Sequence, residues 1–147
     1  MTNRAAYPEA DLMEPLVLWL RARRSIREDS AVIPEFPWQG RIVDLAVMTK
    51  SGSTSAFELK LFHTSRAIHQ GALNSIAFDR SYVVLRTQPL RSNLLQASEL
   101  GLGVIVVNLE ADKVRQLLAP KLQSAHSTAR RRLRASLNER AGRLSVR

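Results

Sequence analysis

The sequence predicts an α/β fold, a mixed central sheet flanked by helices, on three observations. Apolar, strand-like runs at 41–48 and 54–62 bracket a short polar turn, which is the pattern of an antiparallel hairpin. Two later runs, 81–86 and 103–108, are apolar without alternation, as in strands covered on both faces of a sheet. The segments around them carry apolar residues at helical spacing.

Taken in order, residues 8–24 place Leu12, Leu16, Trp19 and Leu20 on one stripe at i, i+4, i+7 and i+8, the mark of an amphipathic helix. Asp11 and Glu14 have capping-box spacing, and Pro15 fits a helix only near its first turn. The helix therefore starts at Asp11, or it starts near Pro8 and bends at Pro15. Residues 30–38 are extended, but Pro34 and Pro37 lack the amide donors a central strand needs, so an edge strand is expected. Gly40 opens the hairpin, whose turn over 49–53 contains Ser51, Gly52 and Ser53. In 64–79, Thr64 and Ser65 are candidate N-caps, and Ile68, Ala72 and Ile76 form a helical stripe. After strand 81–86 come a polar break at Gln88 and Pro89, a helix near 91–100 ending at Gly101, strand 103–108, and a short helix over 110–120. This order is too short and too rich in hairpin for a Rossmann domain, and the GLGV stretch at 101–104 lies between a helix and a strand, the wrong setting for a phosphate loop. Residues 8–120 form the expected domain, and 121–147 a basic C-terminal tail, helical or disordered.

The chain has 147 residues, of which 45% are apolar, enough for one ordinary core. No apolar run approaches the roughly 18 residues of a membrane span. The N-terminal residues lack the basic-then-apolar pattern of a secretory leader, and there is no cysteine for a disulfide or a thiolate metal site. A cytoplasmic protein is expected. The net charge of +9 points to a polyanionic partner. Most of it lies beyond residue 120, where eight basic residues face one acid, Glu139. Arg130, Arg131, Arg132 and Arg134 are the candidate nucleic-acid contacts, against the alternative of a solvated basic tail. With 5% aromatic residues there is no stacking platform for single strands, and His63, His69 and His126 do not have the spacing of a ligand set.

Three charged residues stand inside the hairpin strands: Asp44, Glu58 and Lys60. Side chains alternate along a strand, so Glu58 and Lys60 share a face. A turn centred at Ser51 makes paired residue numbers sum to about 102, which sets Asp44 opposite Glu58 with β-carbons about 4.5–5.5 Å apart. Two carboxylates that close repel unless a cation lies between them or one holds a proton. A hard divalent ion such as Mg²⁺ accepts this arrangement. Lys60, one rung along, is placed to polarise a water or steady charge on a phosphate, and Ala46 and Ala56 leave room on that face. The alternative is a plain ion pair on a solvated sheet. Against it, the chain uses 18 arginines and four lysines, and proton chemistry suits the tunable lysine better than a merely electrostatic pair would.

Asp44, thirteen intervening residues, then Glu58-x-Lys60, laid across a hairpin and followed by a helix, resembles the PD-(D/E)XK nuclease superfamily of many restriction enzymes and Holliday-junction resolvases. The order α-β-β-β-α-β matches its restriction endonuclease-like core, so the resemblance spans residues about 8 to 108. The first helix, with a glutamate near its start, is also similar to that of small bacterial members. Val43 stands where the name-giving proline would be. The resemblance implies that Asp44 and Glu58 bind Mg²⁺ together with the backbone carbonyl of Leu59, with Mn²⁺ as a substitute. It implies that Lys60 positions or activates the attacking water, that Glu9 (or Glu14) is the helix-one acid near the metal, and that Gln70 stands beside the site. Glu35 is a further candidate acid. The implied activity is a Mg²⁺-dependent endonuclease that hydrolyses phosphodiester bonds of nucleic acid, DNA ahead of RNA, with a homodimer expected by analogy. The competing expectation is a catalytically inactive nuclease-fold module that binds nucleic acid or a protein partner. Arg80, Arg86 and Arg91 are additional phosphate-contact candidates.

Overall fold

The computed structural model describes residues 9–123 and 127–145. A single 3₁₀ turn, Glu9–Leu12, leads into α1 (Met13–Ala22). There follow β1 (Ala31–Trp38), β2 (Arg41–Met48), β3 (Thr54–Lys60), α2 (Thr64–Asn74), β4 (Arg80–Leu85), α3 (Arg91–Glu99), β5 (Gly103–Asn108), β6 (Lys113–Leu118) and α4 (Ser127–Ser145). The six strands make one mixed sheet in sequence order. β1, β2 and β3 are successively antiparallel, β3, β4 and β5 are parallel, and β6 closes the far edge antiparallel to β5.

Local chemistry accounts for most of these elements. Pro15 falls in the first turn of α1, where its missing amide costs nothing. The capping box does not form, because the helix starts one residue late, behind Leu12, with no side-chain cap. Gln39 and Gly40 both have positive φ, 55° and 75°, and form the two-residue hairpin whose twist matches the strands on either side. β1 lies at the sheet edge, as its prolines require. His63, in the left-handed region, caps α2 in place of Thr64 or Ser65.

The expected helix over 110–120 is not formed; residues 113–118 are strand β6. Asn108 Oδ1 accepts the Ala111 amide, and Asp112 turns the chain back with φ 52°. The returning segment then satisfies the free backbone edge of β5, and Val114 packs on the core beneath α1. A register shift opposite Val104 and Ile105 lets Leu117 and Leu118 both pack inward.

Two layers of packing cover the sheet. On one face α1 sets Leu12, Leu16 and Leu20 against Leu45, Val47, Phe57 and Leu59. On the other, α2 and α3 cover β4 and β5, and α4 covers β1 and β2. The basic C-terminal segment is thus helical, and it shares the core of residues 8–120. Leu133 and Leu137, one turn apart, are fully buried with Phe36, Val43 and Phe78. Each such leucine contributes about 1.5–3 kcal/mol. Arg130 fixes the helix by an ion pair at 2.8 Å to buried Asp79, whose other oxygen accepts from the Thr54 amide and hydroxyl. Among the described residues no helix is long and apolar enough to cross a membrane.

Candidate active site

The β2–β3 ladder pairs Leu45 with Phe57, Ala46 with Ala56, Val47 with Ser55 and Met48 with Thr54, the register in which Asp44 and Glu58 come next. There the backbone ladder gives way to side chains. Asp44 Oδ2 accepts the Leu59 amide at 2.8 Å, a place a backbone carbonyl of β2 would otherwise fill. The amide and carbonyl of one strand residue point to the same neighbour, so the Leu59 carbonyl is directed into the same gap. Alternation puts Glu58 and Lys60 on the face away from α1, with Leu59 packed beneath that helix; at Asp44 the alternation of β2 breaks, since Val43 and Leu45 on either side of it pack on opposite faces.

Glu58 is 1% exposed and carries the strongest electrostatic perturbation of the site. Burial pushes its carboxyl up to about 7 from an ordinary 4.5. A hydrogen bond from Asn74 works against that rise, the charge of Asp44 and a hydrogen bond with it work in favour, and the Arg41 guanidinium works against. The Asp44 carboxyl is therefore an electrostatic neighbour of Glu58. Asn74, itself fully buried, donates through Nδ2 to Glu58 Oε2 at 2.8 Å and accepts through Oδ1 from Arg41 Nη2 at 2.8 Å. Gly71 makes this reach possible. A β-carbon there would meet Leu102 at 3.1 Å and Val83 at 3.3 Å, so α2 lies close against β4 and the Asn74 side chain reaches β3.

Lys60, at the end of β3, extends its ammonium to Glu9 at 3.9 Å; among the described residues Glu9 is not gathered with Asp44 and Glu58 into one ligand group. Glu14 is exposed on α1. Glu35 lies in register opposite Asp44, but its backbone is left-handed at φ 51° and its side chain is exposed. Gln70 sits one turn before Asn74 with its Oε1 buried and, among the described residues, without a hydrogen-bond partner; the contact to Glu58 is made by Asn74. Arg41 and Asn74 did not figure among the sequence candidates. The signal for Asn74 was its i, i+4 spacing from Gln70 along the buried stripe of Ala67, Ile68 and Gly71.

The candidate phosphate contacts divide. Arg130 pairs with Asp79, and Arg134 Nε donates to the Gly52 carbonyl at 2.9 Å, so both anchor α4. Arg131 and Arg132 are exposed. Arg86 pairs with Glu110 at 2.6 Å. His126 lies outside the described residues.

Among the described residues no group of three or more His, Cys, Asp or Glu side chains is gathered for a metal ion. The set that is present, two carboxyls and the Leu59 carbonyl, suits a hard divalent ion whose remaining positions are filled by water or substrate oxygens. Asp44 is the more open of the two carboxyls.

No family model and no curated protein matches the chain. Among solved structures it is similar to the SPO1766 protein of unknown function from Silicibacter pomeroyi. The TM-score is 0.66 and the identity 21%, over 92% of this chain and 87% of that one. At that identity the likeness establishes the mixed α/β fold alone.

Proposed function

We propose that the protein is a cytoplasmic, metal-dependent nuclease similar to the PD-(D/E)XK superfamily, hydrolysing phosphodiester bonds of nucleic acid, DNA ahead of RNA. One observation carries this reading. Where the β2–β3 ladder opens, two carboxyls lie side by side, one of them pushed up to about 7, with a lysine on the next rung of the same face. An acid pair with a strongly perturbed member is more characteristic of a working site than of a structural ion pair.

Asp44, Glu58 and the Leu59 carbonyl are the groups that would hold the ion. A bound Mg²⁺ would offset the negative charge that builds on the phosphoryl oxygens and would acidify the attacking water. Asn74 fixes the Glu58 carboxyl, and Arg41 holds Asn74. Lys60, partly exposed at the rim, would orient the water or hold a non-bridging phosphate oxygen, with Glu9 restraining its ammonium. Replacing Lys60 or Asp44 by alanine should lower Mg²⁺-dependent cleavage by about 10²–10⁴-fold and leave nucleic-acid binding largely intact. Full activity in either variant would defeat the assignment.

A second reading, an inactive module that retains a nuclease-like fold to bind nucleic acid or a partner, is favoured by the 1% exposure of Glu58 and by its engagement with Asn74. Titration with Mn²⁺ separates the two: the inactive module shows no saturable site at Asp44.

A further inference from the structure

We infer that the opposite end of the sheet carries a separate docking surface for a nucleic-acid phosphodiester backbone. A groove of about 610 Å³ lies between the α1–β1 connection and the β2–β3 turn. Arg24, Arg27, Lys50 and Arg80 line it against a single carboxylate, Asp29. Hydroxyls of Ser25, Ser51, Ser53 and Ser55 add hydrogen-bond donors. Ser55 and Glu58 are three residues apart on β3, so about 10 Å of strand separates this groove from the acid pair.

Two observations mark the groove as more than a solvated rim. Among the described residues none of its four cations makes an ion pair, whereas Lys60, Arg86 and Arg130 each have an acid partner. The second is the backbone of Arg24. α1 ends in a Schellman motif, with the Ser25 amide on the Leu20 carbonyl at 2.8 Å and the Arg24 amide on the Arg21 carbonyl at 3.0 Å. The residue after the C-cap in that motif is ordinarily glycine, because it must be left-handed; here it is Arg24, at φ 63°. An arginine at a glycine position, turned into a groove with three other cations, is accounted for by an anion to hold. The spread of guanidiniums along an open groove suits successive phosphates of one strand better than a single enclosed phosphate.

The surface does not depend on whether the acid pair cleaves, and its test is read in chelator. A fluorescein-labelled DNA duplex is titrated with the full chain at several salt concentrations. Arg24→Gly, Arg27→Gln and Lys50→Gln should each weaken binding several-fold and flatten log K against log salt by about 0.9. Asp29→Asn should tighten binding, a gain that misfolding cannot produce. Unchanged slopes in all three cation variants, or an Asp29→Asn variant that binds no tighter, would overturn the inference. It would equally be overturned if the cation variants lose affinity for inorganic phosphate or for phosphatidylserine vesicles while their DNA affinity is unchanged. Loss of cleavage with groove binding intact removes the nuclease reading alone.

Discussion

The two ends of the sheet handle charge in opposite ways. At the carboxyl ends of the parallel strands, cations and acids are matched: Lys60 with Glu9, Arg86 with Glu110, and Arg41 with Glu58 through Asn74. At the turn end the buried Asp79 is likewise paired, with Arg130, but Arg24, Arg27 and Lys50 are exposed and, among the described residues, have no acid partner. The difference follows from burial. A charge taken out of water must be paired or neutralised, and Glu58 responds by holding its proton to about 7. An exposed guanidinium is stabilised by water and screened by salt, so it can remain unpaired until an anion arrives. On the proposed readings, the buried acid pair would serve chemistry and the exposed cations of the turn end association.

The largest stability effect expected of this contrast belongs to Glu58. Its folded pKa, about 7, lies above the ordinary 4.5, so between those values the folded state binds more protons than the unfolded chain. Stability is therefore fully present below about pH 4.5 and is lost as pH rises through about 7, by up to about 3 kcal/mol. Glu58→Gln keeps a carbonyl for Asn74 and an amide for Asp44 but cannot ionise. Melting temperatures in chelator at about pH 5 and about pH 8 should show the wild type losing stability with pH and the variant not. Added Mg²⁺ should restore the wild type at the higher pH and leave the variant unchanged. Equal pH dependence in both proteins would mean that Glu58 is not the buried acid described here.

A smaller effect is expected of Asn74→Ala, which removes the donor to Glu58 and the acceptor for Arg41 together. Leaving buried polar groups unmatched costs about 2 kcal/mol, read as a lower urea midpoint with the slope unchanged. A shift near zero would show that the matched end does not rely on this bridge.

How much of this was legible in the sequence depends on how local each cause is. The hairpin register was legible, because period-2 alternation and a tight turn fix which residues face each other, and the observed pairs sum to 102 as expected. That register is what joins Asp44 to Glu58. Arg41 and Asn74 were not legible as a pair, since their contact spans 33 positions and depends on how closely Gly71 lets α2 approach the sheet. Strand β6 was misread as helix because its form is decided by the open edge of β5, a partner that a local window does not contain. In α4 the spacing of Leu133 and Leu137 was visible, but the arginines around them pointed to a tail, and the buried partner of Arg130, Asp79, is distant in sequence.

The smallest expected effect sharpens the comparison most, because stability and binding should move in opposite directions. A left-handed residue other than glycine carries a strain of about 1 kcal/mol, and Arg24 bears it at φ 63° with its side chain in water. Arg24→Gly relieves that strain, while the freer unfolded chain takes back part of the gain. The net should be a stabilisation of a few tenths to about 1 kcal/mol, measured by urea unfolding, in the same variant whose DNA affinity falls. A residue kept for the fold would give the reverse, with Arg24→Gly less stable than the wild type, and the turn end would then be a structural cap rather than a surface shaped for a partner.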